Sequence, residues 1–181
     1  MNKSLKNQFW IYLSLSIAMV IDTFFFSEYL LQWKPLLTLL ALIYWNMALP
    51  DKVGIKEALL FGLIMDLLSG SVFGLHGLLF VLITYICQRF FYQFRVSPLL
   101  QQSAILFVLF FLFKMSFSFD FYDVAEGMNV SDGFFVINAL IFSMTSSLCW
   151  TPSYYLLREL RRRKIKPVSY THLRAHETDS H

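Results

Sequence analysis

Charge is scarce in this chain: Asp, Glu, Lys and Arg make up 15% of its 181 residues, against 57% hydrophobic and 18% aromatic. A balance so apolar at this length excludes an ordinary soluble domain and suits a single membrane domain. Cysteine is scarcer still. Cys87 and Cys149 both lie inside apolar runs, with neither metal-site spacing nor the surroundings of a disulfide framework, and read as helix filler. No phosphate loop, HExxH, nucleophile motif or cysteine pair occurs, so hydrolysis and nucleotide binding have no basis in the sequence. An enzyme is not expected, and neither is a cofactor or a metal. The formal charge of +3 comes from a basic cluster near the C-terminus, without which the chain would be acidic. That excludes the globally basic balance of a nucleic-acid binder.

What is present is a series of apolar runs, at about residues 8–26, 35–49, 55–68, 75–91, 99–119 and 134–157. Each reads as a helix, which gives an all-α fold: a polytopic membrane bundle of six transmembrane helices in one domain, residues 1–168. The first run is longer than a usual signal core, contains Asp22, and ends in Phe-Phe-Phe-Ser-Glu instead of a small-residue cleavage site, so it reads as a retained span. Tyr44 and Trp45 sit near a turn made by Pro50-Asp51-Lys52, where interfacial anchors belong. The third run falls short of the ~20 residues of an untilted span. The following turn at 69–74 lies at membrane depth and must be shielded by protein or face a cavity.

Basic residues accumulate in cytoplasmic loops. Six spans starting from a cytoplasmic N-terminus put Lys3, Lys6, Lys52, Lys56, Arg89 and Arg95 on one side with the C-terminal cluster, while the acidic connection at 120–133 falls outside. Both termini are then cytoplasmic. The cluster itself, Arg158, Arg161, Arg162, Arg163, Lys164 and Lys166, follows a membrane helix directly and reads as an anchor on anionic headgroups rather than a nucleic-acid patch. Residues 169–181 change composition abruptly and resemble a translated adapter, a non-native disordered tail. His172 and His176 within it have the i, i+4 spacing of a zinc pair, but a disordered tail does not hold them on a helix.

Polar residues inside the runs are the candidate sites. Gly62, Asp66 and Gly70 recur every fourth residue and share one narrow helical stripe, followed by Gly74 and His76. Glycines above and below the acid let another backbone approach it closely. At ~1.5 Å per residue Asp66 lies about 16 Å up, near the midplane, where Thr84 and Thr145 are at reach. A structural hydrogen bond ranks ahead of a proton relay or a ligand pocket, because a relay usually needs several acids in series. A neutral carboxyl group in that role would tolerate Asp66→Asn, which keeps a donor and an acceptor. Asp22 and Lys114 fall at matched depths, about 21 and 22 Å, and either form an ion pair or snorkel separately. His76 reads as an interfacial polar residue, with a pH switch or a ligand role as alternatives.

The stretch Tyr44-Trp45-Asn46-Met47-Ala48-Leu49-Pro50, followed by Gly62-x3-Asp66-x3-Gly70-x3-Gly74, is similar to the MreD family of bacterial rod-shape-determining membrane proteins. The match covers roughly residues 9–166 and leaves the tail outside. The resemblance implies a non-enzymatic inner-membrane component of the cell-elongation machinery, with an MreC-like protein, the MreB filament, and the RodA and penicillin-binding protein synthases of lateral peptidoglycan as partners. It leaves the oligomeric state open. It also implies the six-helix architecture of the substrate-binding subunits of energy-coupling-factor transporters, and hence a second reading as a small-molecule-binding membrane subunit. Such a subunit needs convergent polar groups in an outward pocket. The outer half here offers Asp22, Lys114, His76 and Asn138 and is otherwise rich in Phe, which favours a scaffold.

Overall fold

The apolar runs fold into helices that bury one face, large apolar side chains together with a few polar ones, against neighbouring helices and leave other large apolar side chains exposed. The computed structural model describes residues 3–24, 34–70, 72–116 and 133–165. Among them are α1 (Lys3–Phe24), α2 (Leu37–Ala48), α3 (Ile55–Ser69), α4 (Leu75–Arg89), α5 (Phe91–Val96), α6 (Leu99–Ser116) and α7 (Gly133–Lys164), and no strand. The acidic connection expected outside the membrane and the segment 169–181 read as a foreign tail lie outside the described residues, except for Gly133.

Among the described residues each of the six apolar runs is mainly helical. The sequence reading misses α5, a short helix in the connection between α4 and α6. It also ends the last helix too early, since α7 continues through the basic cluster to Lys164. Among the described residues one helix, Leu99–Ser116, is by itself long and apolar enough to cross a membrane, while Leu37–Ala48 and Leu75–Arg89 are apolar but shorter.

Three antiparallel hairpins build the bundle. In α1–α2, Asp22 meets Thr38 at one end and Ser14 meets Trp45 nearer the other. In α3–α4, Gly62 lies against Gly77. In α6–α7, Phe110 packs on Phe142 and Gln102 on Trp150. Helix α2 is the centre: residues 38–47 are all buried, and the helix touches α1, α4 and α7. With 12 residues it is ~18 Å long, and because it is buried along its length its end groups need partners from other parts of the protein.

The outer helices show one buried stripe each. On α6 it is Gln102, Leu106, Phe110 and Phe113, at spacings of four, four and three. Large apolar side chains on the other faces stay exposed, among them Val108 and Leu112 of α6, Leu78 and Leu82 of α4, and Leu140, Met144 and Leu148 of α7. An apolar exterior this continuous is the pattern of a surface covered by lipid or by other apolar helices.

Candidate functional site

Helix α3 ends where Gly70 adopts a left-handed conformation at φ 64°, and α4 begins after Gly74, also left-handed at φ 96°. A side chain at either position would meet open space, so these glycines are required by backbone conformation. Gly62 differs. A Cβ there would stand 2.5 Å from the Gly77 Cα and 2.8 Å from the His76 carbonyl oxygen, so its missing side chain is what lets α3 and α4 touch backbone to backbone. The stripe therefore does two jobs: Gly62 allows a close crossing, whereas Gly70 and Gly74 shape the turn.

That crossing delivers Asp66 to the start of α4. The first turn of a helix presents amide N–H groups without intrahelical partners, and an N-cap side chain usually accepts them. Here the N-cap is Gly74, which has no side chain. Asp66 stands in for it. Its Oδ2 accepts the Gly74 N–H at 2.9 Å and the Gly77 N–H at 3.3 Å, and its Oδ1 accepts the His76 N–H at 3.0 Å. His76 Nδ1 lies 2.7 Å from the same Oδ1 and donates when it carries the ring proton. Donors converging on both oxygens suit the acceptor-only carboxylate, and its charge complements the positive end of the α4 dipole. Asp66 is 2% exposed, while Gly74 in the turn above it is half-buried.

The same device occurs in α1–α2. Helix α2 follows Leu36, which offers no capping side chain. Asp22 of α1 supplies it: Oδ1 accepts the Leu37 N–H at 3.0 Å, and Oδ2 accepts the Thr38 N–H at 2.7 Å and the Thr38 hydroxyl at 2.6 Å. Lys34 Nζ closes the corner by donating to the Asp22 carbonyl oxygen at 2.7 Å. By contrast α3, whose start lies at the opposite end of the bundle, is capped from within by Glu57, which accepts the Gly54 N–H at 2.8 Å.

These contacts revise several expectations. Asp66 is bound by backbone amides and His76 and not by Thr84 or Thr145, since Thr145 donates to the Phe142 carbonyl and the buried Thr84 hydroxyl has no hydrogen-bond partner among the described residues. His76 is a buried member of the cap and not a lone interfacial residue. Its ring stands edge-on to Phe80 and 6.0 Å from Phe113, which ties the cap to α6. The carboxylate that matched depth pairs with Lys114 is given to α2 instead, and Lys114 Nζ lies 5.5 Å over the Phe142 ring. The basic cluster is divided as well: Arg158 and Arg161 line a cavity, Arg163 pairs with Glu159, Lys164 lies over Trp10, and Lys166 is outside the described residues.

Further polar residues join the helices at the other end, and sequence reasoning passed over most of them. Asn46 of α2 donates to the Thr84 carbonyl of α4 and accepts from Gln88. Gln102 of α6 donates to the Phe94 and Ser97 carbonyls and accepts the Trp150 indole N–H at 3.0 Å. The signal was a lone amide inside an apolar run, which has to find partners when buried.

Compared with known proteins, the chain matches the family model described as rod shape-determining protein MreD over residues 3–159. It is 30% identical to the rod shape-determining protein MreD of Haemophilus influenzae over 131 residues, which covers 72% of this chain and 76% of that protein. No solved structure matches it. A family match over nearly the whole chain, containing both interhelical caps, shows that the chain belongs to the MreD family of rod shape-determining proteins.

Proposed function

We propose that the chain is a non-enzymatic, multi-pass scaffold of the bacterial inner membrane that serves rod-shape determination by holding other helices of the elongation machinery. The observation that carries this reading is the use made of the buried carboxylates. Asp22 and Asp66 are both given to helix starts within the chain, an arrangement that builds a rigid bundle and leaves the large apolar side chains facing outward. Cell-shape work fits the family. The partners that the resemblance implies, an MreC-like protein, the MreB filament, and RodA with its penicillin-binding protein, are reached through that apolar exterior and the cytoplasmic ends.

The exterior presents whole helix faces for such contacts. On α4 alone, Leu78, Leu82 and Tyr85 are exposed at helical spacing. Purification of the tagged full chain from membranes of rod-shaped cells should recover the MreC-like partner, and cells lacking the chain should round up. Rods of normal shape without it would remove the reading.

Topology follows from where the charges sit. Lys52, Lys56, Arg89, Arg95 and the basic turns of α7 lie at the end of the bundle where α2 and α4 finish, and Lys34 and Lys114 lie at the other. This asymmetry supports six spans with both termini cytoplasmic. With Cys87 and Cys149 replaced, Asn129→Cys should react with a membrane-impermeant thiol reagent in cells whose outer membrane is permeabilised, and Lys52→Cys should stay unlabelled. The reverse pattern would invert the topology.

A further inference from the structure

Where α2 stops and α7 leaves the bundle, the helices part around a cavity of about 170 Å³ lined by Tyr44, Arg95, Gln102, Tyr154, Arg158 and Arg161. Arg158 and Arg161 thus bring two guanidinium groups to a space that Arg95 also borders, and among the described residues no Asp or Glu lines it. Tyr44 is 2% exposed, and its hydroxyl has no hydrogen-bond partner among the described residues. Its ring is held edge-on against Tyr154 at 5.6 Å, which fixes the hydroxyl in place. Gln102 forms a stiff wall, since its amide is spent on the Phe94 and Ser97 carbonyls and on Trp150. A buried polar hydroxyl is ordinarily satisfied, and the guanidinium groups of Arg158 and Arg161, which have no carboxylate partner among the described residues, repel one another. An anion with several acceptor oxygens resolves both.

Guanidinium forks match the oxygens of a phosphate group, and a tyrosine hydroxyl adds one more donor. The surroundings indicate what carries that phosphate. Next to Arg95, Val96 and Leu100 are 84% and 85% exposed, and Leu156 of α7 is exposed beside Arg158, so apolar surface leads away from the cavity. A free phosphate has no use for that surface, whereas acyl chains cover it. Basic pockets between helices on the cytoplasmic side of a membrane are suited to anionic headgroups.

We infer that this cavity binds the phosphodiester headgroup of an anionic phospholipid from the cytoplasmic leaflet, with Tyr44, Arg158 and Arg161 as its principal contacts. The inference rests on the reading of the bundle as membrane-embedded, which resistance of the chain to alkaline carbonate extraction tests separately. The lipid test is native mass spectrometry of the purified full chain titrated with phosphatidylglycerol or phosphatidylcholine. Phosphatidylglycerol should bind at least about tenfold more tightly. Arg158→Gln combined with Arg161→Gln should abolish that preference, and Tyr44→Phe, which keeps the ring, should weaken it several-fold with an unchanged melting temperature. Arg163→Gln, a change in the same cluster but away from the cavity, should stay within about twofold. Equal binding of the two lipids, or an equal loss with Arg163→Gln, would overturn the site. Displacement of the lipid by millimolar inorganic phosphate would overturn the lipid assignment and leave a soluble phosphate as the ligand.

Discussion

Asp66→Leu is expected to lower the melting temperature of the purified chain by roughly 6–20 °C, on the scale where 1 kcal/mol is worth about 2–4 °C in a chain of this size. The substitution strands the buried N–H groups of His76 and Gly77 together with His76 Nδ1, and removes the acceptor of the half-buried Gly74 N–H. An unsatisfied buried donor costs about 1–3 kcal/mol, and loss of a helix cap about 0.5–2 kcal/mol. These overlap, because a loosened turn lets some donors find new partners, so about 3–5 kcal/mol is expected in total. Asp66→Asn should also be clearly damaging, at about half that cost. It retains one acceptor oxygen and turns an NH₂ group toward donors, so part of the first turn of α4 has nothing to accept it. The expectation that Asn is mild applies to a neutral carboxyl group hydrogen-bonded to Thr84, Thr145 or a partner helix. In a strain lacking its own copy, the Leu variant should give rounded cells and poor recovery of the MreC-like partner. A melting temperature within about 2 °C of the parent for Leu would show that the cap does not hold the hairpin.

The reason the sequence pointed to Asp66 but not to its partners is physical. A carboxylate among Leu, Ile and Met must be satisfied, and that follows from residue types alone. Its partners here are mostly backbone amides, which every residue carries and no letter marks. Depth arithmetic compared side chain with side chain and so paired Asp22 with Lys114 and Asp66 with threonines. A better signal was available in the helix starts. Leu36 and Gly74 both precede apolar helices without offering a capping side chain, and among the described residues each has a buried acid on the preceding helix, Asp22 or Asp66. An uncapped start and an unexplained acid on the previous helix answer each other.

Element boundaries were legible where glycine, proline or charge punctuated the chain, as at Ile55, Leu75 and Leu99. They were not where helix formation and hydropathy part company. Helix α7 outlasts its apolar run because Arg and Lys are good helix formers and favour a C-terminal turn, where they offset the negative end of the dipole. The six residues of α5, lying between Arg89 and Pro98, are too few to show a period.

The repeated cap also explains how helices as short as α2 and α4 are held. Each begins at the same end of the bundle and receives its carboxylate from the helix before it, so a hairpin is fastened at its closed end by charge-assisted bonds and along its length by apolar packing. In such a hairpin the fit of the two backbones decides whether the carboxylate reaches its donors, which makes Gly62 as important as Asp66.

Gly62→Ala is accordingly the second change with a large expected effect, although it adds one methyl group and raises helix propensity by about 1 kcal/mol in an unconstrained helix. The added Cβ would meet Gly77 Cα at 2.5 Å, Gly77 N at 2.7 Å and the His76 carbonyl oxygen at 2.8 Å. Ordinary carbon contacts lie near 3.5–4.0 Å, so α3 and α4 must part by roughly 1 Å. The obstacle is backbone, and no rotamer change relieves it. The same shift would stretch the 2.9 and 3.0 Å bonds from Gly74 and His76 to Asp66 beyond hydrogen-bonding range. Overpacking typically costs about 1–3 kcal/mol, and the lost cap places this change at or above the top of that range. Gly77→Ala serves as the control on the facing helix. Its Cβ meets the Leu63 side chain at 3.2 Å, which can move, so its loss should be well under half as large. Because Gly62→Ala and Asp66→Leu damage one contact, the double variant should melt well above the sum of the two losses. Full additivity, or equal melting of the Gly62→Ala and Gly77→Ala variants, would show that the crossing and the cap are independent.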